Sequence, residues 1–571
     1  MVETIRSDIV IIGSGLAGLR AAIEAARASE SKLEISVVTK VQAMRSHSVS
    51  AEGGTAAVLY PELGDSFESH IFDTVKGSDY LADQDAVERF VLAMPSEIYQ
   101  LEHWGMPWSR REDGRLAQRW FGGYSYPRAT FAEDKVGFFE MQTLYDTATK
   151  YDCIKFYQEW FATSIVKVQN KFAGITAIDL KTGDFAYFKA KAGIIAAGGS
   201  GRLYSFATYG YSATPDGMYM AYRAGIPLKD MEFIQFHPSG MIPSGILITE
   251  AARGEGGILL NKDGERFMKK YAPEKLELAS RDVVSRAIIT EIEQGRGFKD
   301  EASGLDYVNL DLTNIGEKKI KERLNGIREI ALKFRGIDIV SEPVPIRPVC
   351  HYVMGGIDVN IDGATLLQGL WAAGEAACVS INGANRLGAN STAECLVWGK
   401  ITGELAAKYA LAKEHEQTPA EDIMIEEKRI FDSIMHGKGS VNPYEIRDKL
   451  QKEMDMHAYV FRTGEGLLQA LKKVREMKKE DFKHCEDKSR RYNTNLKDVL
   501  EIEGMLEVAE VVLLSALART ETRGAHARKD YPTRDDKNWL KHTLAYMTEE
   551  GPKLDYKPVV ITKYQPTERH Y

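Results

Sequence analysis

The feature that most limits this chain lies close to its N-terminus. Asp8-Ile9-Val10-Ile11-Ile12 is an unbroken apolar run; it ends in Gly13-Ser14-Gly15-Leu16-Ala17-Gly18 and passes into Leu19-Arg20-Ala21-Ala22-Ile23. A strand that is apolar on both faces belongs in a parallel sheet covered by helices. Ile35-Ser36-Val37-Val38 reads as a second such strand. In this strand–turn–helix–strand context, three glycines let backbone approach a pyrophosphate, and the helix N-terminus offers N–H donors and a favourable dipole. Gly13, Gly15 and Gly18 are therefore expected against a dinucleotide.

The second strand ends in Thr39-Lys40, where a nicotinamide-binding unit carries an acid for the ribose. That lowers NAD and favours FAD. Residues 192–201 (AGIIAAGGSG) read as a buried strand entering a glycine turn, and 369–375 (GLWAAGE) as another strand ending on an acid, Glu375, the better candidate for FAD contacts. The fold class expected is α/β: a discontinuous Rossmann-like FAD-binding domain (1–237 and 346–410) with an inserted α+β capping domain (238–345). A helical domain (411–525) and a small C-terminal domain (526–571) follow. Amphipathic spacing predicts a cap helix over 316–334, and Leu467, Leu468, Leu471, Val474 and Met477 are spaced as one helix face. Val559-Val560-Ile561 looks strand-like.

A length of 571 residues calls for about three or four domains. The net charge of -8 argues against nucleic acid or bare anionic membrane as the main partner. No apolar run approaches the ~18 residues a bilayer demands, 511–518 being the best, so no direct membrane span is expected. Nor does the N-terminus show a basic region followed by an apolar stretch, so no signal peptide is expected. The five cysteines form no CxxC pair, which removes the usual metal and iron–sulfur signatures and suits a reducing compartment, the cytoplasm.

Met44-Arg45-Ser46-His47-Ser48-Val49-Ser50-Ala51-Glu52-Gly53-Gly54 closely resembles the flavinylation segment of the succinate dehydrogenase/fumarate reductase flavoprotein subunits. The resemblance runs on through Trp108-Ser109-Arg110-Arg111, Phe236-His237-Pro238, residues 249–257, Arg281-Asp282, residues 351–356, residues 383–391 and Arg523-Gly524-Ala525-His526. It implies a flavin held covalently through His47, with Ser46, Gly53 and Gly54 beside it and Asp216, Ser391 and Thr392 among the FAD contacts. On its own, His47 in a Ser- and Gly-rich loop would pass for a surface residue, and Asp216 for a turn residue. A helix is expected to begin near Asn390-Ser391, a good N-cap type, and its dipole would stabilise an anionic reduced flavin.

A small dianion needs charge-assisted donors at both ends. By resemblance His237, Thr249, His351 and Arg386 bind the carboxylates of succinate or fumarate, and Arg281 carries the proton, although guanidinium ordinarily stays protonated. Glu250 and Arg253 would relay protons to Arg281, or form a structural ion pair. Asn382 departs from the family, many members of which carry histidine there. No metal site is implied.

Electrons on the flavin must leave singly. The resemblance supplies an iron–sulfur subunit docked on membrane-anchor subunits with quinone, which would place the chain peripherally on the cytoplasmic face of the membrane. Three alternatives remain open at this point. One is an L-aspartate oxidase-like enzyme with dissociable FAD, against which the His47 segment argues. Another is a fumarate reductase fed by a thiol or small carrier. The third is a non-catalytic flavin carrier, which has no use for His237, His351, Arg386 and Arg281 together.

Overall fold

Ile9–Ile12 is wholly buried because it is hydrogen-bonded on both edges and covered on both faces. In the computed structural model, which describes residues 2–570, it lies parallel to Ala192–Ile195 on one side and Ile35–Thr39 on the other. Leu370–Ala372 and Ile154–Gln158 complete a five-stranded, all-parallel sheet. The four strands singled out above, two of them far downstream in the chain, therefore share one sheet. Helix Leu16–Ala28 packs on helix Asn390–Leu411, and the contact is close: a Cβ at Gly399 or Gly403 would run into the backbone carbonyls of Ala17 and Ala21. An antiparallel meander of Trp160–Val168, Lys171–Asp179 and Phe185–Lys189, joined by Glu3–Arg6, forms a second sheet.

Two long antiparallel strands, Ile234–Met241 and Val344–Val353, carry the chain out into the inserted region and back. With Asp306–Asp311, Ile258–Leu260 and Ile246–Leu247 they build a further sheet, whose apolar core includes Met241, Ile288, Val308, Leu310 and Ile346. The register between the two long strands shifts from His237 to Gly240. Such bulges re-aim side chains, and His237 sits at this one.

Residues 316–334, expected as one helix, are two: Glu317–Arg323 and Asn325–Arg335, broken at Leu324. Asp134, from outside the insert, accepts the Gly326 N–H at 2.7 Å and crowds out any Cβ there, so the start of the second helix is pinned from outside. Helix Gly464–Met477 buries Leu467, Leu471, Val474 and Met477 as the spacing predicts, but Leu468 is 58% exposed. Val559-Val560-Ile561 is not a strand. The C-terminal hairpin is Lys541–Thr548 with Gly551–Pro558, and beyond it the Val560 N–H bonds the Asp83 carboxylate at 2.7 Å instead of a neighbouring backbone. The hairpin pairs with Leu228–Lys229 and so extends a sheet begun much earlier in the chain. No helix among the described residues is long and apolar enough to cross a membrane.

Candidate active site

A cavity of about 660 Å³ lies between the parallel sheet and the inserted region. Every site residue expected from sequence lines it except Gly18 and Arg253, which stand directly behind the wall. At one end is the glycine turn. Gly13 has φ 104°, and a Cβ there would strike the Ala196 carbonyl; a Cβ on Gly18 would strike the Gly13 carbonyl, so Gly18 serves helix–strand packing and not contact with a ligand. The N-terminus of helix Leu16–Ala28 opens onto the cavity. Lys40 reaches across to Asp216 at 2.5 Å and Glu501 at 2.8 Å, which ties the second strand to helices Asp216–Arg223 and Thr494–Ala518. Burial disfavours the Lys40 charge, yet the two carboxylates more than offset this and raise its pKa. Asp216 is thus already engaged through one carboxylate edge with Lys40 and through the other with Thr214.

His47 lies on a short turn, His47–Ser50, that crosses the mouth of the glycine turn; Ser48 Oγ accepts the Leu16 N–H at 3.3 Å. Its ring stacks on Tyr209 with centroids 4.6 Å apart. Burial, with the nearby Arg202 charge, brings its pKa down to about 4, so the imidazole is neutral, and Nδ1 is buried without a hydrogen bond among the described residues. A neutral ring with a free nitrogen is the species that can form a covalent bond to carbon. Tyr209 donates to Glu375, which also accepts the Val353 N–H at 2.9 Å; burial nevertheless pushes Glu375 up to about 7.

Helix Asn390–Leu411 aims its N-terminus into the cavity, but its cap is not Asn390 or Ser391. The cap residue is Ala389, left-handed at φ 67°, with no side-chain cap bond, and the Asn390 amide oxygen is used by Tyr124 at 2.7 Å. Free N–H groups at this end suit an anionic ring system better than a self-capped helix would. Thr392 turns inward to Gly54 O (3.1 Å) and Thr55 Oγ1 (2.8 Å).

At the other end His237 and His351 meet at 5.0 Å between ring centroids. Each has one nitrogen occupied: His237 Nδ1 accepts the Ser239 N–H at 3.1 Å, and His351 Nδ1 pairs with Thr208 Oγ1 at 2.9 Å. Burial, reinforced by Arg281, holds both pKa values well below the usual histidine range, and the buried His237 Nε2 is unpaired among the described residues. Arg386 lies over the Tyr352 ring at 4.2 Å with Nε unpaired among the described residues; burial first, then repulsion by Arg281, lowers its pKa to about 10, so it stays charged at neutral pH. Arg281 donates from Nε to Glu250 at 2.8 Å and from Nη1 to Gln235 at 3.0 Å. Burial disfavours the Glu250 charge, but Arg281 and Arg253 outweigh it and lower its pKa. Two guanidinium groups against one committed carboxylate leave this pole positive, as a dicarboxylate requires. Glu250 and Arg253 approach only to 4.0 Å, an ion pair without a hydrogen bond; Arg253 continues to the Glu277 carbonyl, and Glu277 to the half-exposed Arg266. A charged track therefore runs from Arg281 toward the surface.

Sequence reasoning missed Gln235. Its amide oxygen accepts from Arg281, while its Nε2 donates to Arg386 O at 2.7 Å and Asn385 Oδ1 at 3.1 Å. One side chain thus fixes both arginines. The signal was a lone amide inside the apolar strand run Ile234-Gln235-Phe236, where an unpaired polar group is costly. Asn382, the departure from the family pattern, donates to Glu394 at 2.8 Å, and Glu394, pushed up to about 7 by burial, also receives Tyr352. Asn382 thus supports the ring beneath Arg386.

The FAD binding domain family model matches residues 8–392, and the Fumarate reductase flavoprotein C-term model matches 447–571. Over 586 residues, covering all of both chains, the sequence is 45% identical to the fumarate reductase flavoprotein subunit of Mycobacterium tuberculosis H37Rv. It is 42% identical to the succinate dehydrogenase flavoprotein subunit of Rickettsia bellii, covering 97% of this chain and 95% of that one. Among solved structures, a mutant E. coli quinol fumarate reductase chain superposes with TM-score 0.96 at 41% identity, covering 99% of each chain. The Mycobacterium smegmatis Sdh1 structure with UQ1 gives 0.85 at 33% identity, covering 99% of this chain and 96% of that one.

Proposed function

Since the chain belongs to the succinate dehydrogenase/fumarate reductase flavoprotein family and binds FAD, we propose how its own residues interconvert succinate and fumarate. The observation that carries the reading is one continuous cavity with a dinucleotide-type glycine turn at one end and four convergent cationic or imidazole side chains at the other. The residues fit FAD: the turn leaves no room for a side chain at Gly13 or Gly18, two helix N-termini open on the cavity, and the volume lies in the range of cofactor sites. Bound FAD supplies the two-electron chemistry by accepting or delivering the hydride.

Arg386 and His351 hold one substrate carboxylate, and His237 and Thr249 the other. Held neutral, the histidines donate from Nε2, and the carboxylate charge is balanced by guanidinium. Each charged hydrogen bond of this kind is worth roughly 1.5–3 kcal/mol. Gln235 and Glu250 fix the Arg281 guanidinium on two edges, which leaves its remaining N–H groups for the substrate carbon that gains or loses the proton. The track through Glu250, Arg253 and Glu277 returns that proton to solvent. It needs a water or a small side-chain shift at the 4.0 Å gap. His47, which lines the cavity and is held neutral by burial, forms the covalent bond to the flavin. An iron–sulfur subunit takes the electrons onward to membrane-anchor subunits and quinone, and through them the chain sits on the cytoplasmic face of the membrane.

The test is denaturing electrophoresis of the FAD-loaded protein under ultraviolet light after acid treatment. A fluorescent band that disappears in His47→Ala is expected. A dark wild-type band from FAD-replete protein refutes the covalent assignment.

A further inference from the structure

Glu140 lies on helix Val136–Ala148 behind the flavin wall, fully buried, and nothing in the mechanism above uses it. One carboxyl oxygen meets Thr55 Oγ1, and the other is buried without a hydrogen bond among the described residues. Thr55 Oγ1 is in turn 2.8 Å from Thr392 Oγ1, and Thr392 is 3.1 Å from Gly54 O; Thr392 and Gly54 both line the cavity. Three groups in series thus run from a buried acid to the wall at the N-terminus of helix Asn390–Leu411.

Each threonine hydroxyl has one proton to give. With Glu140 protonated, the donations run one way: Glu140 to Thr55, Thr55 to Thr392, Thr392 to the Gly54 carbonyl. Every hydroxyl then donates once and accepts once. With Glu140 ionised, Thr55 must donate to the carboxylate. Thr392, with one proton, can then serve Thr55 or the Gly54 carbonyl but not both, so one of those two contacts loses its donor. The proton on Glu140 therefore decides whether an unbroken run of donations from the acid to the cavity wall can form. No cation offsets the acid: burial alone raises its affinity for a proton, to a pKa of about 8, against the bond from Thr55. The titratable neighbour whose own shift feels Glu140 is Cys395 of helix Asn390–Leu411, whose thiol is pushed up by burial and by nearby carboxylates including Glu140.

We propose that Glu140 is a proton-linked positioning residue for the bound flavin, acting through Thr55 and Thr392 to couple proton uptake by the protein to charge arriving in the cavity. The proposal rests on the FAD reading above. When two electrons and one proton arrive on the bound cofactor, one net negative charge remains in the cavity. An ionised Glu140 nearby then takes one proton from solvent and becomes the neutral acid, which restores the forward hydroxyl chain. Proton uptake per two electrons rises from one toward two in the pH range where Glu140 titrates.

Spectroelectrochemical titration of the FAD-loaded protein across pH tests this, with flavin content measured first by absorbance so that loss of FAD is seen separately. Wild type should show a midpoint potential whose pH slope steepens between about pH 7 and 9 toward that of two protons per two electrons. Glu140→Gln, whose amide can meet Thr55 as donor or acceptor but never titrates, should keep FAD and a one-proton slope throughout. Infrared difference spectra (reduced minus oxidised) at pH 8 should show a protonated-carboxyl C=O band that shifts in D2O and is lost in Glu140→Gln. Matching slopes in wild type and Glu140→Gln, or a carboxyl band that survives the substitution, overturns the proposal. Neither readout moves if Glu140 merely fills space.

Discussion

The sharpest test of how the two arginines are held is Gln235→Leu. Leucine matches the volume of glutamine and suits a buried strand, but it removes three hydrogen bonds at once: from Arg281 Nη1 at 3.0 Å, to Arg386 O at 2.7 Å and to Asn385 Oδ1 at 3.1 Å. Only the first involves a charged side chain aimed at substrate. A hydrogen bond to a charged group is worth roughly 1.5–3 kcal/mol, and each ~1.4 kcal/mol is tenfold. If Arg281 is poised by this bond, kcat/KM should fall by about 10- to 150-fold. Because Arg386 is anchored through its backbone by the same side chain, KM for succinate should rise as well as kcat fall. Gln235→Glu separates the two effects: it can still accept from Arg281 but not donate to the Arg386 carbonyl, so it should spare kcat more than KM. The assay is steady-state oxidation of succinate by an artificial acceptor, with flavin content measured in parallel. A kcat/KM within twofold of wild type for Gln235→Leu, with FAD retained, would refute the idea that Gln235 positions the arginines.

Two further predictions concern charge. Arg386→Lys loses the planar fork and its place over Tyr352, so KM for succinate should rise at least tenfold while the covalent flavin band persists, as dicarboxylate titrations and gels would show. His542, wholly buried between Asp230 at 2.6 Å and Asp83 at 3.1 Å, is disfavoured as a cation by burial but raised to about 9 by the two carboxylates. A histidine raised in the fold stabilises fully below its unfolded pKa of about 6.5 and loses that contribution as pH climbs through the folded value. The urea midpoint gap between wild type and His542→Gln should therefore be widest at and below about pH 6.5 and narrow up to pH 9; a gap that widens with pH contradicts the linkage.

What could be read from the sequence follows from how local each signal is. The apolar strands 9–12, 35–39 and 192–195 announce themselves by composition, and the glycine turn by spacing. His237, Thr249, Arg281, His351 and Arg386 could be named only through a family pattern, because five distant segments carry no local mark of their meeting. The helix start at 390 looked self-capped because Asn and Ser are good N-caps. The fold instead spends Asn390 on Tyr124 and caps with a left-handed Ala389, a tertiary choice that propensity does not encode. The break at Leu324 is similar: the apolar spacing continues across it, and the contact that holds the second helix start, Asp134 on the Gly326 N–H, comes from almost two hundred residues earlier.

The placement of charge in the cavity bears on why the histidines accompany arginines and do not replace them. A buried imidazolium beside Arg281 would face both desolvation and like-charge repulsion, the two causes that depress His237 and His351. The site therefore takes its positive charge from guanidinium groups and its directional donors from imidazoles that stay neutral. Arg386 shows the cost of the first choice: burial and Arg281 together bring it to about 10, still far enough above neutrality to remain a cation. Gln235 and Glu250 make the arrangement stable by giving Arg281 one neutral and one charged partner on different edges. A second carboxylate in place of Gln235 would cancel the charge that Arg386 adds for the substrate, and a single amide would leave the Arg281 guanidinium poorly compensated. The pairing keeps a net positive pole for the dianion, and it is the feature that a sequence, read one residue at a time, cannot display.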